Sequence, residues 1–291
     1  MNKQILTFAL LTLLSIPAWA QRDYRVSKNN GKLIVNLQGA RIEGYDGNEI
    51  IFSKAGTVEE EDERAKGLQV LSSTGLKDNT GLGISVVEKD GNIEVFAVGN
   101  QNDEELLRIR VPRQMGVVFH NDNSFMADSL LIKGIRGEIE VSTSYNEVRL
   151  EDNSGPMNVK SVYNGVEAVF NPSITGPISI VSVYGHVDVS LPAATKATLS
   201  LSTSYGKLYA AEAFDIKTEP KSMTEKTEPS IKAVTGDPAA ETIFPDMPAV
   251  PPTPPVAIGS VSEQIEGSIN GGGTHIILKS SYKNVYLRTS S

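Results

Sequence analysis

The chain contains no cysteine. That absence excludes disulfides, thiol catalysis and thiolate metal sites together. Stability must then come from burial and backbone pairing. Histidine is nearly as scarce. His120, His186 and His275 lie far apart, and none falls in a His-x-x-x-His or similar metal spacing. They are expected at the surface or at corners. No Gly-x-Ser-x-Gly elbow is present, and no Ser, His and acid stand out as a triad. Positive charge is in deficit, with 27 Lys and Arg against 35 Asp and Glu and a formal charge of −8. A net acidic chain is poorly suited to nucleic acid or anionic lipid. Helical periodicity is almost missing too. Only Val58 to Gln69 has a helix-compatible composition, and it lacks an apolar stripe.

The first 20 residues read as a secretory signal peptide. Lys3 supplies the positive region, Ile5 to Ile16 the apolar stretch, and Ala18-Trp19-Ala20 the cleavage site, with Gln21 as the expected mature terminus. Without a following cysteine there is no lipoprotein anchor. No later apolar run approaches the roughly 20 residues of a membrane-spanning helix. The mature chain is therefore expected to be soluble, in the periplasm or outside the cell.

What the sequence does have is alternation. Leu33, Val35 and Leu37, then Ile84 and Val86, Ile93 and Val95, and Leu107, Ile109 and Val111 occupy every second position between Gly, Asn and Asp. Such runs read as half-buried strands. Asp90-Gly91-Asn92 separates two of them and predicts a hairpin or tight corner.

The second half carries an internal repeat. Aligned on Tyr145, Tyr163, Tyr184, Tyr205 and Tyr282, apolar residues stand six and four before each tyrosine, as in Ile178 and Ile180. A hydroxyl stands two before: Thr143, Ser161, Ser182, Thr203 or Ser280. Aliphatic or Ala residues stand three and five after, as in Val187 and Val189. The tyrosines are spaced by 18, 21, 21 and 77 residues. The buried set is even before the tyrosine and odd after it, so the chain must bend there. The residue after the tyrosine is Asn146, Asn164, Gly185, Gly206 or Lys283, and Asn and Gly tolerate positive φ. Only Asn164-Gly165 would suit a two-residue hairpin turn. A solenoid corner needs one permissive residue and a unit of roughly 20 residues. The expected fold is all-β, a right-handed parallel β-solenoid with a strand-rich N-terminal part. An antiparallel meander or sandwich is the alternative.

The spacing of 77 contains an excess between Ala211 and Ser260, where nine of the fifteen prolines fall. This stretch reads as a Pro-rich, partly disordered insertion. Gly271-Gly272-Gly273 lacks a following helix or Lys for phosphate, and reads as a tight corner. The expected organisation is a signal peptide over 1–20, a strand-rich segment over 21–80, repeats over 81–210, the insertion over 211–260 and a last repeat over 261–291.

Leu107-Arg-Ile-Arg-Val-Pro112 resembles the leading strand of the bacterial putative-adhesin domains of unknown function. Gly137-Glu-Ile-Glu-Val141 and Gly176-Pro-Ile-Ser-Ile180 are similar to their repeats. Ile269-Asn-Gly-Gly-Gly273, Ile276 to Tyr282 and Asn284-Val-Tyr-Leu-Arg288 are similar to their ending. The resemblance covers about residues 80 to 210 and 262 to 291. It implies an exported β-solenoid with an adhesin label and no catalytic residue. The Pro-rich insertion departs from the pattern.

The five tyrosines are the candidate ligand contacts. A row of aromatics could stack on sugar rings. Their phase with the buried set favours packing instead, with the ring turned inward or sealing the corner. Glu59-Glu60-Glu61-Asp62-Glu63 is rich in calcium-type oxygens but lacks the spacing of a calcium loop, and reads as a solvated run. Glu167 and Asp188 both stand four after their tyrosine. Stacking would pair them as an enzyme of the β-helix kind requires, or set them in a surface ladder with Arg149. The ladder is the favoured reading. No catalytic residue, cofactor or metal is assigned. The sequence thus reads as an exported, non-catalytic binding or adhesion module of the cell envelope. Its expected partners are an envelope polysaccharide or another envelope protein, with no nucleic acid and no membrane span, and with oligomeric state left open. A structural spacer is the first alternative and a carbohydrate-active enzyme the second.

Overall fold

A computed structural model describes residues 22–54, 64, 67–68, 70–72, 74–98, 106–122, 129–171, 174–218 and 262–290. The proposed signal peptide, the carboxylate run 59–63, most of the helix-compatible segment 58–69 and nearly all of the Pro-rich insertion lie outside these residues. The described chain is all-β. It forms two large mixed sheets of ten and eleven strands, with no closed barrel. No described helix is long and apolar enough to cross a membrane.

Alternation builds the strands. In β10 (Ile139–Thr143), β12 (Met157–Ser161), β14 (Ile178–Ser182) and β16 (Ala197–Thr203) every second side chain is buried. The same holds after the bend in β11 (Val148–Glu151), β13 (Val166–Val169) and β15 (Val187–Pro192). The strand before each tyrosine joins one sheet and the strand after it joins the other. Each pairs in parallel with the equivalent strand of a neighbouring unit, with Ile139 opposite Met157, and Met157 opposite Ile178. Inward side chains of both sheets form one continuous core, in which Phe52, Phe119 and Phe170 are among the largest fully buried groups.

The earlier strands enter the same sheets. These are β2 (Lys32–Asn36), β3 (Ala40–Tyr45), β6 (Asn92–Ala97), β7 (Arg108–Pro112), β8 (Gly116–Asn121) and β9 (Leu130–Lys133). Leu33 and Val35, Ile93 and Val95, and Ile109 and Val111 are all buried as their alternation predicts. Antiparallel pairing is confined to the ends of the sheets. There β5 (Ile84–Lys89) pairs with β6, and β4 (Ile50–Lys54) pairs with β7 and with β1 (Arg22–Val26). The predicted hairpin is present. Lys89 opposes Asn92, and Asp90 and Gly91 both have positive φ, 51° and 77°, as a type I′ turn requires.

Spatial order departs from chain order twice. The unit β2–β3 sits between β6–β7 and β8–β9, pairing in parallel with both. At the other end, β20 (Thr274–Ser280) lies between β14 and β16, and β21 (Val285–Ser290) between β15 and β17 (Leu208–Ala210). The repeat spacing alone would place each unit on the one before it. Instead the last unit is inserted between two that are successive in the chain. Every unit carries the same aliphatic and hydroxyl offsets, so alternation fixes the register of a unit without fixing its neighbour. The other side of β16 is covered by β19 (Glu263–Ile269), antiparallel, and β19 in turn by β18 (Lys217–Thr218). The Gly-rich corner carries the chain from β19 to β20, with positive φ at Asn270, Gly271 and Gly272.

Candidate functional site

The site starts from the hydroxyl two residues before each tyrosine. The strand ends at this residue, and the side chain is buried: Ser182 and Ser280 are fully so. It closes the bend by accepting the N–H of the residue after the tyrosine, as Gly185 gives to Ser182 (2.9 Å), Gly206 to Thr203 (3.0 Å) and Lys283 to Ser280 (3.0 Å). It also donates to a backbone carbonyl of the neighbouring unit: Ser182 to Asn164, Ser280 to Gly185, and Thr203 to Lys283. A buried hydroxyl used as both donor and acceptor has its polar needs met and ties adjacent bends together.

Backbone pairing runs on through the bend. Tyr163, Tyr184, Tyr282 and Tyr205 donate their N–H to the residue before the tyrosine of the adjacent unit, at 2.7–3.0 Å. This holds successive tyrosines one strand spacing apart. The rings stack in one column ordered Tyr145, Tyr163, Tyr184, Tyr282, Tyr205, with centroid separations of 4.3, 5.3, 4.8 and 5.0 Å and planes within 17° of parallel. The Tyr145 phenol is held above its ordinary pKa by its hydrogen bond with the Tyr163 phenol, with burial and charge repulsion adding to this.

All five tyrosines are thus brought together, but not inward. Tyr184 is 43% exposed and Tyr205 is 56%. The phase argument fails because it holds only along a strand, and each strand ends two residues earlier. Positive φ is also not what selects the residue after the tyrosine, since none of Asn146, Asn164, Gly185 and Gly206 has it. At the two glycines the cause is steric. A Cβ on Gly185 would fall on the Asn164 carbonyl, and one on Gly206 on the Lys283 carbonyl. Asn146 is buried and joins a polar chain that alternation alone could not show. Its side-chain oxygen accepts from Asn121 at 2.8 Å and from Thr143, and its amide donates to the Gln38 carbonyl.

Beside the column lies an open cleft of about 530 Å³. Tyr163 and Tyr184 form one side, and Glu147, Glu167, His186 and Lys283 line it together with Tyr286. Tyr286 begins a second, shorter stack with Tyr209, at 5.2 Å. Arg288 lies over the Tyr286 ring at 5.1 Å. The carboxylates of Glu167 and Asp188 occupy paired positions on β13 and β15. Each has an arginine near it: Arg149, which donates to Glu151 at 2.7 Å, is 3.7 Å from Glu167, and Arg288 donates to Asp188 at 2.8 Å. His186 stands 3.9 Å from Glu167. His275 is exposed, and His120 is half-buried on the outer face of β8. Among the described residues no cluster of three or more His, Asp and Glu could hold a metal ion.

Sequence reasoning missed the cleft, because its residues come from four units and depend on the inserted one for Lys283 and Tyr286. The doubled tyrosine in Tyr282 and Tyr286, echoed by Tyr205 and Tyr209, was the available signal.

No family model matches the chain, and no curated protein matches it. Among solved structures, a "putative cell adhesion protein" from Clostridium sporogenes is similar at 11% identity and a TM-score of 0.42, over 93% of this chain and 99% of that one. A "putative adhesin" from Bacteroides fragilis is similar at 10% identity and a TM-score of 0.30, over 92% and 95% of the two chains. At these values neither fold nor function is carried over.

Proposed function

We propose that this chain is an exported, non-catalytic binding module of the adhesion type, whose contact surface is the tyrosine column with its adjoining cleft. The units are read as turns of a right-handed parallel β-solenoid, with the column running along one corner. The expected partner is an extended envelope polymer, either a polysaccharide or a protein.

One observation carries the reading: five tyrosines meet in a continuous stack, four of them exposed and Tyr145 half-buried. A contiguous aromatic surface of this kind is uncommon on a chain that binds nothing, and tyrosine is favoured at contacts because it adds area at low entropic cost. The geometry also shapes the partner. Inner ring faces are covered by their neighbours, so the column offers ring edges and phenol hydroxyls about one strand spacing apart. Only the end rings, Tyr145 and Tyr205, have a face that no other tyrosine of the column covers. A ligand would therefore lie along the column and hydrogen-bond to successive phenols, while Glu147, Glu167, His186 and Lys283 supply polar contacts at one side. The non-catalytic reading is supported by the arginine beside each of the paired carboxylates, since a neutralised ladder serves surface stability better than proton transfer.

The test is a comparison of the native chain with a Tyr163→Ser, Tyr184→Ser, Tyr282→Ser variant on a glycan array and in pull-downs from envelope extract. Ligands retained by the native chain and lost from the variant support the reading. Blank arrays and pull-downs for the native chain, or equal capture by both, overturn it.

A further inference from the structure

We infer that residues Glu263–Ser290 act as a donor segment that can fill the equivalent slot of a second copy of this chain, linking copies by strand exchange. The slot lies between two units that are successive in sequence. Strand β20 is hydrogen-bonded on both sides, to β14 through five residue pairs and to β16 through seven. Strand β21 fills the matching gap between β15 and β17. The donor supplies Ile276, Leu278, Val285 and Leu287 to the core, all buried. It also supplies the hydroxyl of Ser280 and the ring of Tyr282 to the two ladders. Strand β19 completes the grip by covering the far side of β16.

Nothing in the slot marks the donor as belonging to its own chain. The contacts are main-chain bonds, aliphatic packing, stacking of Tyr282 on Tyr184 and Tyr205, the bonds of Ser280 and Thr203 to neighbouring carbonyls, and the Arg288–Asp188 pair. An identical segment from another copy would satisfy all of them. The own-chain donor is favoured only by its tether, through effective concentration. That tether is 44 residues in sequence, between Thr218 and Glu263. Fully extended it reaches at most about 150 Å, ample to deliver the donor into an adjacent molecule. Exchange of an identical element between copies is a low-cost route to assembly, and strand addition to paired edges is an established mode of recognition.

Outward positions Ser179 and Ile277 are register partners on β14 and β20, and the chain has no cysteine to interfere. The test uses two differently tagged copies of the whole chain, one with Ser179→Cys and one with Ile277→Cys. They are unfolded together, refolded over rising concentration, and treated with a short bis-maleimide. The expected result is a crosslink between the two tags whose yield rises at least tenfold over a hundredfold rise in concentration, in a species of dimer mass or larger. A chain carrying both cysteines should crosslink internally at low concentration. Absence of any inter-tag product at high concentration overturns the inference. So does equal crosslinking of copies mixed after folding, which would indicate a surface contact. Failure of the internal crosslink overturns the placement of the donor itself.

Discussion

The Ser280 hydroxyl donates to the Gly185 carbonyl at 2.8 Å, across 95 residues of sequence. It also accepts the Lys283 N–H, so one buried oxygen both closes its own bend and fastens the last unit to an earlier one. Ser280→Ala leaves a part-buried N–H and a buried carbonyl without that partner. The expected loss is about 1–3 kcal/mol, seen as a lower midpoint in denaturant melts. Ser280→Thr should be near neutral, because Thr143 and Thr203 fill the same position in other units. Equal loss in both variants would show that volume, and not the hydroxyl, matters there.

Gly185→Ala tests the steric account of the bend. The added methyl would meet the Asn164 carbonyl, and overpacking against backbone costs about 1–3 kcal/mol. Gly91→Ala, where φ is 77° but nothing lies within 4 Å, should cost about 1 kcal/mol through strain alone. Both can be read from thermal melting. A harmless Gly185→Ala would remove close approach as the reason for glycine at that bend.

The alternation itself can be probed with charge on three strands. Ile180→Asp or Leu201→Asp would place an unpaired carboxylate at a fully buried position, and the folded state should be lost or its melt broadened. Ile277→Asp, at a position 44% exposed, should change stability by less than about 0.5 kcal/mol. Far-UV circular dichroism with a melt separates the two outcomes.

The loop before β5 supplies a pH dependence. Burial alone would push the Asp78 carboxyl up, but it accepts hydrogen bonds from the N–H groups of Thr80, Gly83 and Gly81 and from the Thr80 hydroxyl, which together hold it below its ordinary 3.8. Its contribution to stability is therefore present above that value and is lost as pH falls through the lower folded-state one. Asp78→Asn should lower the melting temperature at pH 6 and flatten the fall in stability on acidification below the ordinary carboxyl value of 3.8. An unaltered acid limb in the variant would assign that fall to other carboxylates.

Much of this fold is legible in the order of its amino acids, for reasons that particular residues make clear. Leu33 with Val35, and Ile178 with Ile180, announce their strands because burial on one face imposes a period of two. Asp90-Gly91 announces its hairpin because few pairs adopt positive φ twice. Stacking order is not legible, since Ile276 and Leu199 are equally good partners for Ile178. Tyrosine orientation is misleading because alternation stops at Ser182, while Tyr184 belongs to the bend. The cleft is hidden because Glu147, His186 and Lys283 meet only once those bends are stacked.

Repeat arrays usually come apart from their ends, where a terminal unit is held on one side only. Here the chain's first repeat and its last are each locked between two others. Beyond the short edge strand β1, peeling from either terminus must therefore break hydrogen-bonded ladders on both flanks at once before any single turn is freed. In a molecule stitched out of order in this way, the first and last described repeats are no easier to free than the ones between them.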